Sequence, residues 1–128
     1  MKNELNNVDK FHKAFGVYEE TPNNPTSIHE NESLLRFNLM TEENREYLDA
    51  CKNNDLVEIA DALGDQFYIL CGTILKHGLQ YKIVEVFEEI HASNMSKLDQ
   101  NGKPILRNDG KILKGENYFK PDIKSILF

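Results

Sequence analysis

The chain has 128 residues, with 21 acidic residues against 15 Lys and Arg, and its net charge is −6. This length makes a single domain, and the 40% hydrophobic content excludes a disordered chain. The acidic excess argues against binding a nucleic acid polymer, which requires a basic surface. It leaves open a phosphorylated ligand held through cations on carboxylates.

Several other classes of protein are also disfavoured. Cys51 and Cys71 form no CxxC pair, so we expect free thiols rather than a zinc site or disulfide framework. No apolar run resembles a secretory signal or a membrane span, so we expect a cytoplasmic protein without a membrane partner. There is no GxxxxGK[ST] loop of the kind that binds ATP phosphates.

The first half of the chain alternates between apolar periodicity and polar breaks. Apolar spacing predicts an amphipathic helix over 4–15 that ends at Gly16, followed by a Pro- and Asn-rich loop over 19–31. A second helix is predicted over 33–52, with Ser33 as its N-cap.

Two further helical segments follow. The short break at 53–55 is predicted to separate the second helix from a third over 56–77, which is capped by Asn54 or Asp55 and ends at Gly78. So short a connection makes the two helices antiparallel neighbours. Another helical pattern covers about 81–98.

The C-terminal segment is basic and irregular. Short apolar runs at 103–107 and 111–114 flank Asp109-Gly110, a signal for a short β-hairpin. The fold class predicted is all-α, an antiparallel four-helix-type bundle with an irregular C-terminal extension. Within one domain, we divide the chain into an N-terminal helix and loop (1–32), a helical core (33–98) and a basic extension (99–128).

Two carboxylates interrupt an apolar stripe on the second predicted helix. At 100° per residue, Glu43 and Glu46 fall on the same side as Leu35, Leu39 and Ala50. Burying an unpaired carboxylate costs several kcal/mol. Either a cation meets these two side chains, or the stripe is not buried there.

The third predicted helix carries a matching acidic face. Glu58, Asp61 and Asp65 lie at i, i+3 and i+7, and 55–75 contains no Lys or Arg that could pair with them. Converging carboxylates form a hard-oxygen site suited to Mg²⁺ or Mn²⁺. Two ordinary acidic helix faces remain the alternative. The predicted core face of this helix consists of Leu56, Ile59, Ala60, Leu63, Phe67, Leu70 and Ile74.

Candidate ligand-binding groups occur later in the chain. His91, Asn94 and Lys97 lie at i, i+3 and i+6, where the amide could contact a base and the ammonium a phosphate. The alternative is a polar helix end near solvent. The extension adds basic residues whose alternative interpretation is a solvated hairpin. They are Lys103, Arg107, Lys111 and Lys114.

The order of these motifs resembles the all-α nucleoside triphosphate pyrophosphohydrolases. Glu42-Glu43-x-x-Glu46 followed by Glu58-x-x-Asp61 resembles the EExxE and ExxD signature of that superfamily. The run from His91 to Lys97, the Asp109-Gly110-Lys111 segment and the opening Phe11-His12-x-x-Phe15-Gly16 are similar to its MazG-like, phosphoribosyl-ATP pyrophosphohydrolase-like subgroup.

This resemblance implies a homodimer or homotetramer that hydrolyses a (deoxy)nucleoside triphosphate to the monophosphate and pyrophosphate. It implies Mg²⁺, with Mn²⁺ as an alternative, bound by Glu43, Glu46, Glu58 and Asp61. Glu42 would orient or deprotonate the attacking water, and with Glu43 and Glu46 it forms the candidate catalytic set. The candidate substrate-binding residues are Arg36, Asp65, His91, Asn94, Lys97, Lys111 and Lys114.

Two other functions remain open at this stage. One is a hydrolase of the same fold that acts on phosphoribosyl-ATP or another phosphoanhydride. The other is a non-catalytic helical module whose acids pair with a basic partner. The base of the substrate does not follow from the sequence.

Overall fold

The computed structural model describes residues 1–18 and 20–128, and Glu19, the first residue of the predicted loop, lies outside them. The described part contains helices and one isolated β-bridge but no strand, which confirms the all-α class. Its helices are α1 (Lys2–Ala14), α2 (Glu30–Lys52), α3 (Leu56–Lys76), α4 (Ile83–Met95) and α5 (Ile123–Leu127). No described helix combines the length and apolarity needed to cross a membrane.

The chain divides into two compact units, 1–81 and 82–128. In the first unit, α2 and α3 form an antiparallel hairpin, and α1 packs against α3. The connection between α2 and α3 is the predicted break at 53–55. This hairpin places the last turns of α2 beside the first turns of α3.

Helix ends in the first unit follow the sequence signals with one exception. Asp55 caps α3, its side-chain oxygen accepting from the Glu58 amide at 3.2 Å. The prediction that Ser33 caps α2 is wrong, because the helix begins one turn earlier. His29 is the cap, and its Nδ1 accepts from the Asn31 amide at 3.1 Å.

Glycines end α1 and α3 in the same way. Gly16 and Gly78 have φ of +67° and +65°, the left-handed conformation in which glycine has no steric penalty. In each case the glycine amide donates back into the last turn and the next amide donates one residue deeper. Both ends are therefore Schellman caps, as the sequence positions of the two glycines predicted.

The core of the first unit is small and differs from the predicted one. Its buried apolar residues are Leu5, Val8, Ala50, Ala62, Cys71, Ile74 and Leu75. Of the predicted core face of α3, only Ile74 is buried, and Leu56 is 76% exposed. The α2 stripe reaches the core at Ala50 but not at Leu35, which is 55% exposed. Periodicity located apolar faces but did not tell which face the chain itself covers.

The loop between α1 and α2 is fixed against the end of α3. The Thr26 amide donates to the His77 carbonyl at 2.9 Å, and His77 Nδ1 lies 2.8 Å from the Thr26 carbonyl. The Gln80 side chain donates to the Pro22 carbonyl at 2.8 Å. The loop forms no helix, so its backbone amides and carbonyls lack the partners that a helix would supply. These contacts give several of them a hydrogen-bond partner on or beside α3.

In the second unit, the extension returns along α4. The Ser93 hydroxyl donates to the Phe119 carbonyl at 2.8 Å, and the Phe119 amide donates to the Ser96 hydroxyl at 3.1 Å. Around Asp109-Gly110 the backbone pairs through one antiparallel bridge, Leu106 with Ile112. The predicted hairpin is therefore a single tight turn rather than two strands.

The charges are distributed unevenly between the two units. Residues 1–81 contain 14 of the 21 acids but only 7 of the 15 Lys and Arg. Residues 82–128 contain the remaining 7 acids and 8 basic residues. The acidic excess of the chain lies wholly in the first unit.

Candidate functional site

An acidic cavity of about 310 Å³ lies where α2 ends and α3 begins. It brings together Glu46 and Glu58, one residue from each predicted acidic motif. The antiparallel hairpin explains their meeting, because their helices are joined by only three residues. The lining of the cavity consists of Glu46, Asp49, Ala50, Asn53, Asp55 and Glu58.

Glu43 lies one turn before this cavity, and other acidic side chains surround its carboxyl group. Its Oε2 is buried without a hydrogen-bond partner in residues 1–18 and 20–128. Desolvation, the neighbouring carboxyl of Glu46 and the charges of Asp65 and Glu42 raise the pKa of Glu43 to about 7. The charge of Asp65 on α3 therefore acts on Glu43 of α2 across the helix pair.

The α3 side chain of Gln66 bridges to α2 at the same level. Its Nε2 lies 3.4 Å from the Glu43 carbonyl oxygen and 3.5 Å from Asn44 Oδ1, both long hydrogen bonds. This amide therefore makes weak contacts between the two helices next to Glu43.

The carboxylate oxygens at this cavity suit a hard cation. Their side chains, however, do not converge as the ligands of a bound metal ion would. Carboxylate oxygens are the ligands that Mg²⁺ takes in proteins, and the orphaned oxygen of Glu43 has no other partner. Within residues 1–18 and 20–128, however, no three acidic, His or Cys side chains converge closely enough to hold a metal ion. Asp61 and Glu42 are exposed and do not line the cavity.

The predicted phosphate and base contacts lie in the second unit. His91 and Asn94 are exposed on α4, and Lys97 follows the end of that helix, its carbonyl accepting from the Gly115 amide at 2.9 Å. Lys111 and Lys114 are exposed on the extension, and the Lys114 ammonium lies 4.7 Å from the centre of the Tyr118 ring.

Arg36, a predicted substrate-binding residue, is 8% exposed and packs inside the first unit. Its Nε donates to Thr73 Oγ1 at 3.0 Å, and its Nη2 donates to the Ile69 carbonyl at 2.8 Å. Burial desolvates the guanidinium charge and lowers the pKa of Arg36. Both acceptors are neutral, so neither carboxylate nor phosphate offsets this effect.

His12 of α1 packs beside this guanidinium and is only 4% exposed. Its Nδ1 has no hydrogen-bond partner among the described residues. Burial and the charges of Arg36 and Lys76 lower the pKa of His12 to about 4. The imidazole is therefore neutral at physiological pH, and protonating it would add a third positive charge to the cluster.

This environment predicts an acid-sensitive fold. The unfolded chain binds a proton at His12 near pH 6.5, whereas the folded chain binds it only near pH 4. The unfolded state thus holds more protons between these values, so stability falls as the pH drops from 6.5 to 4. We expect a loss of about 2 kcal/mol from this residue, measured by urea unfolding at both pH values. His12→Gln should remove that part of the loss, whereas exposed His91→Gln should retain it. An unchanged pH dependence in His12→Gln would contradict the assignment.

A protein-family comparison decides the class of this chain. The family model described as phosphoribosyl-ATP pyrophosphohydrolase matches residues 8–94, more than half of the chain. The chain belongs to this family. The matched region includes both acidic motifs, the cavity between them and α1 from Val8 onward. The resemblance seen in the sequence is thereby confirmed at the level of the superfamily.

A solved structure supports the fold of this phosphoribosyl-ATP pyrophosphohydrolase family member. The chain is similar to a proposed NTP pyrophosphohydrolase from Exiguobacterium sp. 255-15, with 24% identity and a TM-score of 0.51. The match covers 95% of this chain and 90% of the other. No curated protein matches the sequence.

Sequence reasoning missed two acids that line the cavity of this family member. Asp49 follows Glu46 by three residues, and Asp55 precedes Glu58 by three. Residues i and i+3 share a helix face. Continuing the i, i+3 spacing of each acidic motif toward the connection between α2 and α3 therefore identifies both acids.

Proposed function

We propose that this protein is a Mg²⁺-dependent pyrophosphohydrolase of (deoxy)nucleoside triphosphates. Water attacks the α-phosphorus, the bond to the bridging oxygen between the α- and β-phosphates breaks, and the monophosphate and pyrophosphate leave. Family membership supports the coarser assignment, a hydrolase of nucleotide phosphoanhydrides. That the substrate is a (deoxy)nucleoside triphosphate and the metal is Mg²⁺ is our proposal.

The observation that carries this proposal is the meeting of the two acidic motifs at one cavity. Glu46 and Glu58 line it from opposite helices, and Glu43 lies beside Glu46 with a raised pKa. Like charges crowded in this way are costly unless a cation neutralises them. The same cation would then reduce the repulsion between these carboxylates and the charges of a triphosphate.

Four residues are assigned as the metal ligands, Glu43, Glu46, Glu58 and Asp61. When bound, Mg²⁺ supplies neutralisation of phosphoryl oxygens and acidifies coordinated water. Glu42 is exposed beside Glu43 and is assigned to orient or deprotonate the attacking water. Asp65, which faces Glu43, extends the acidic stripe along α3.

The remaining substrate contacts are assigned to polar and basic side chains. Asn94 is assigned to the nucleoside and Lys97 to the phosphates, because an amide can both donate and accept and an ammonium is a point charge. The exposed candidates His91, Lys111 and Lys114 keep the same class of role. Arg36 is buried and bonded to α3, so we assign it no direct contact with the substrate.

A panel of nucleotides with product identification tests the proposal. Purified protein with Mg²⁺ should release pyrophosphate and the monophosphate from at least one deoxynucleoside triphosphate, and release should stop when EDTA removes the metal. Repeating the panel with Mn²⁺ tests the alternative ion. Release of inorganic phosphate instead of pyrophosphate would contradict cleavage between the α- and β-phosphates, and no turnover on the panel would contradict the function.

A second candidate substrate is phosphoribosyl-ATP, favoured by the description of the matching family. The bond broken is the same type of phosphoanhydride, so the acidic site would serve either substrate. Including phosphoribosyl-ATP in the panel separates the two, because the preferred substrate has the higher kcat/KM.

We further propose that the protein works in the cytoplasm as a homodimer or homotetramer. Large apolar side chains on the first unit are open to solvent, including Leu56 and Val57, each 76% exposed. Large apolar side chains that are neighbours on a surface can mark an interface between subunits. Sedimentation of the purified chain measures the state.

A further inference from the structure

Three aromatic rings form an exposed cluster where α1 meets α3. The rings of Phe11 and Phe15 have centroids 4.6 Å apart, and Tyr68 meets Phe11 edge-on, with centroids 5.6 Å apart. Their exposed fractions are 41% for Phe11, 72% for Phe15 and 40% for Tyr68. The rings therefore pack against one another while a substantial part of each residue remains exposed to solvent.

The position of Tyr68 links this aromatic cluster to the acidic stripe. Tyr68 follows Asp61 by seven residues and Asp65 by three, so all three side chains lie on one side of α3. The helical rise separates Tyr68 from Asp61 by about 10 Å along the axis. One extended nucleotide spans this distance from its phosphates to its base.

We propose that the aromatic cluster of Phe11, Phe15 and Tyr68 is the face on which the substrate's nucleobase stacks. This inference rests on the proposed function, because in that function the carboxylates of α2 and α3 would hold the phosphates of the nucleotide through Mg²⁺. Every base has a π-face, so stacking here contributes affinity with little dependence on which base is bound. Selectivity among bases then depends on groups that form hydrogen bonds to the edge of the base.

The continuity of the cluster with the acidic face favours a nucleotide over a second copy of the chain. The rings extend a line of carboxylates, Glu58, Asp61 and Asp65, that bears no basic partner from 55 to 75. A ligand that is anionic at one end and aromatic at the other matches both parts once cations are present. A second copy of this acidic unit would instead bring further carboxylates to the same place.

Two variants test the stacking directly, Tyr68→Ala and the more exposed Phe15→Ala. Calorimetric titration in Mg²⁺ with non-hydrolysable α,β-imido deoxynucleoside triphosphates should give a Kd raised about 10-fold or more in each variant. Binding of inorganic tripolyphosphate, which has no base, should be unchanged. In turnover, KM should rise by a similar factor while kcat changes little. Phe37→Ala, which removes a 65% exposed ring outside the cluster, serves as the matched control and should leave both ligands unaffected.

The outcomes separate this inference from the proposed function. Wild-type turnover with unchanged nucleotide affinity in both variants would overturn the stacking face and leave the function standing. Absence of turnover and of nucleotide binding in the wild type would overturn both. Equal weakening of nucleotide and tripolyphosphate binding would also overturn the stacking face, and so would a change of sedimentation state without a change in nucleotide affinity. If Tyr68→Ala fails to fold, Phe15→Ala decides alone.

Discussion

Glu46→Gln and Asp61→Asn are each expected to lower kcat/KM for the preferred nucleotide by about 100- to 1,000-fold. Each replacement keeps the size of the side chain and removes the negative charge that attracts the cation. Both side chains are exposed, so the fold should not depend on them. The measurement is pyrophosphate release at saturating Mg²⁺, with thermal unfolding of each variant recorded alongside.

The matched control for this pair is Glu30→Gln, an exposed acid in the first turn of α2, outside both acidic motifs. It should keep wild-type activity. Asp49→Asn adds a finer comparison, because Asp49 lines the cavity but belongs to neither motif. Full activity in either Glu46→Gln or Asp61→Asn would remove that residue from the ligand set.

Gly78→Ala is expected to destabilise the fold by about 3 kcal/mol or more, which lowers Tm by about 10 °C or more. The residue is buried at φ +65°, where a β-carbon is strained. An added β-carbon would also overlap the Asn24 carbonyl oxygen and approach its carbonyl carbon to 2.8 Å. The Asn24 carbonyl belongs to the backbone of the loop that is fixed against α3, so moving it aside would break other contacts of that loop. Thermal unfolding measures the difference.

Gly16→Ala isolates the two contributions to this loss. Gly16 ends α1 in the same Schellman geometry, with φ +67°, yet no atom of the described residues lies within 4 Å of a β-carbon built there. Only backbone strain should remain, which costs about 1 kcal/mol. Equal losses at the two glycines would contradict the close approach of the loop to α3.

The sequence predicted local structure better than packing. Gly16, Gly78 and Asp55 marked helix ends correctly, because capping depends on the conformation of a few neighbouring residues. Ser33 failed as a cap since His29 offers an acceptor nitrogen one turn earlier. The core was mispredicted because Leu56 belongs to an apolar face that this chain leaves exposed, and periodicity does not identify what covers a face.

Two acids of the candidate site, one from each motif, line the same cavity, whereas the metal-binding role of the full set stays a prediction. Equal spacing of acids on two helices joined by a short connection was enough to bring Glu46 and Glu58 to one cavity. The buried environment of His12 and Arg36 was not predicted, because it arises from α1 packing over α3 at Gly72. A β-carbon at Gly72 would lie 2.9 Å from the His12 ring. Such close packing depends on tertiary contacts that no local pattern encodes.

The uneven charge of the two units gives them different responses to ionic strength. The unit 1–81 has twice as many acids as basic residues, so its negative charges repel one another. Added salt screens this repulsion, because the Debye length shortens from about 30 Å at 0.01 M to about 8 Å at 0.15 M. The nearly neutral 82–128 has no comparable repulsion to screen. Dilute buffer therefore weakens the unit that contains the acidic cavity more than the unit that contains the extension.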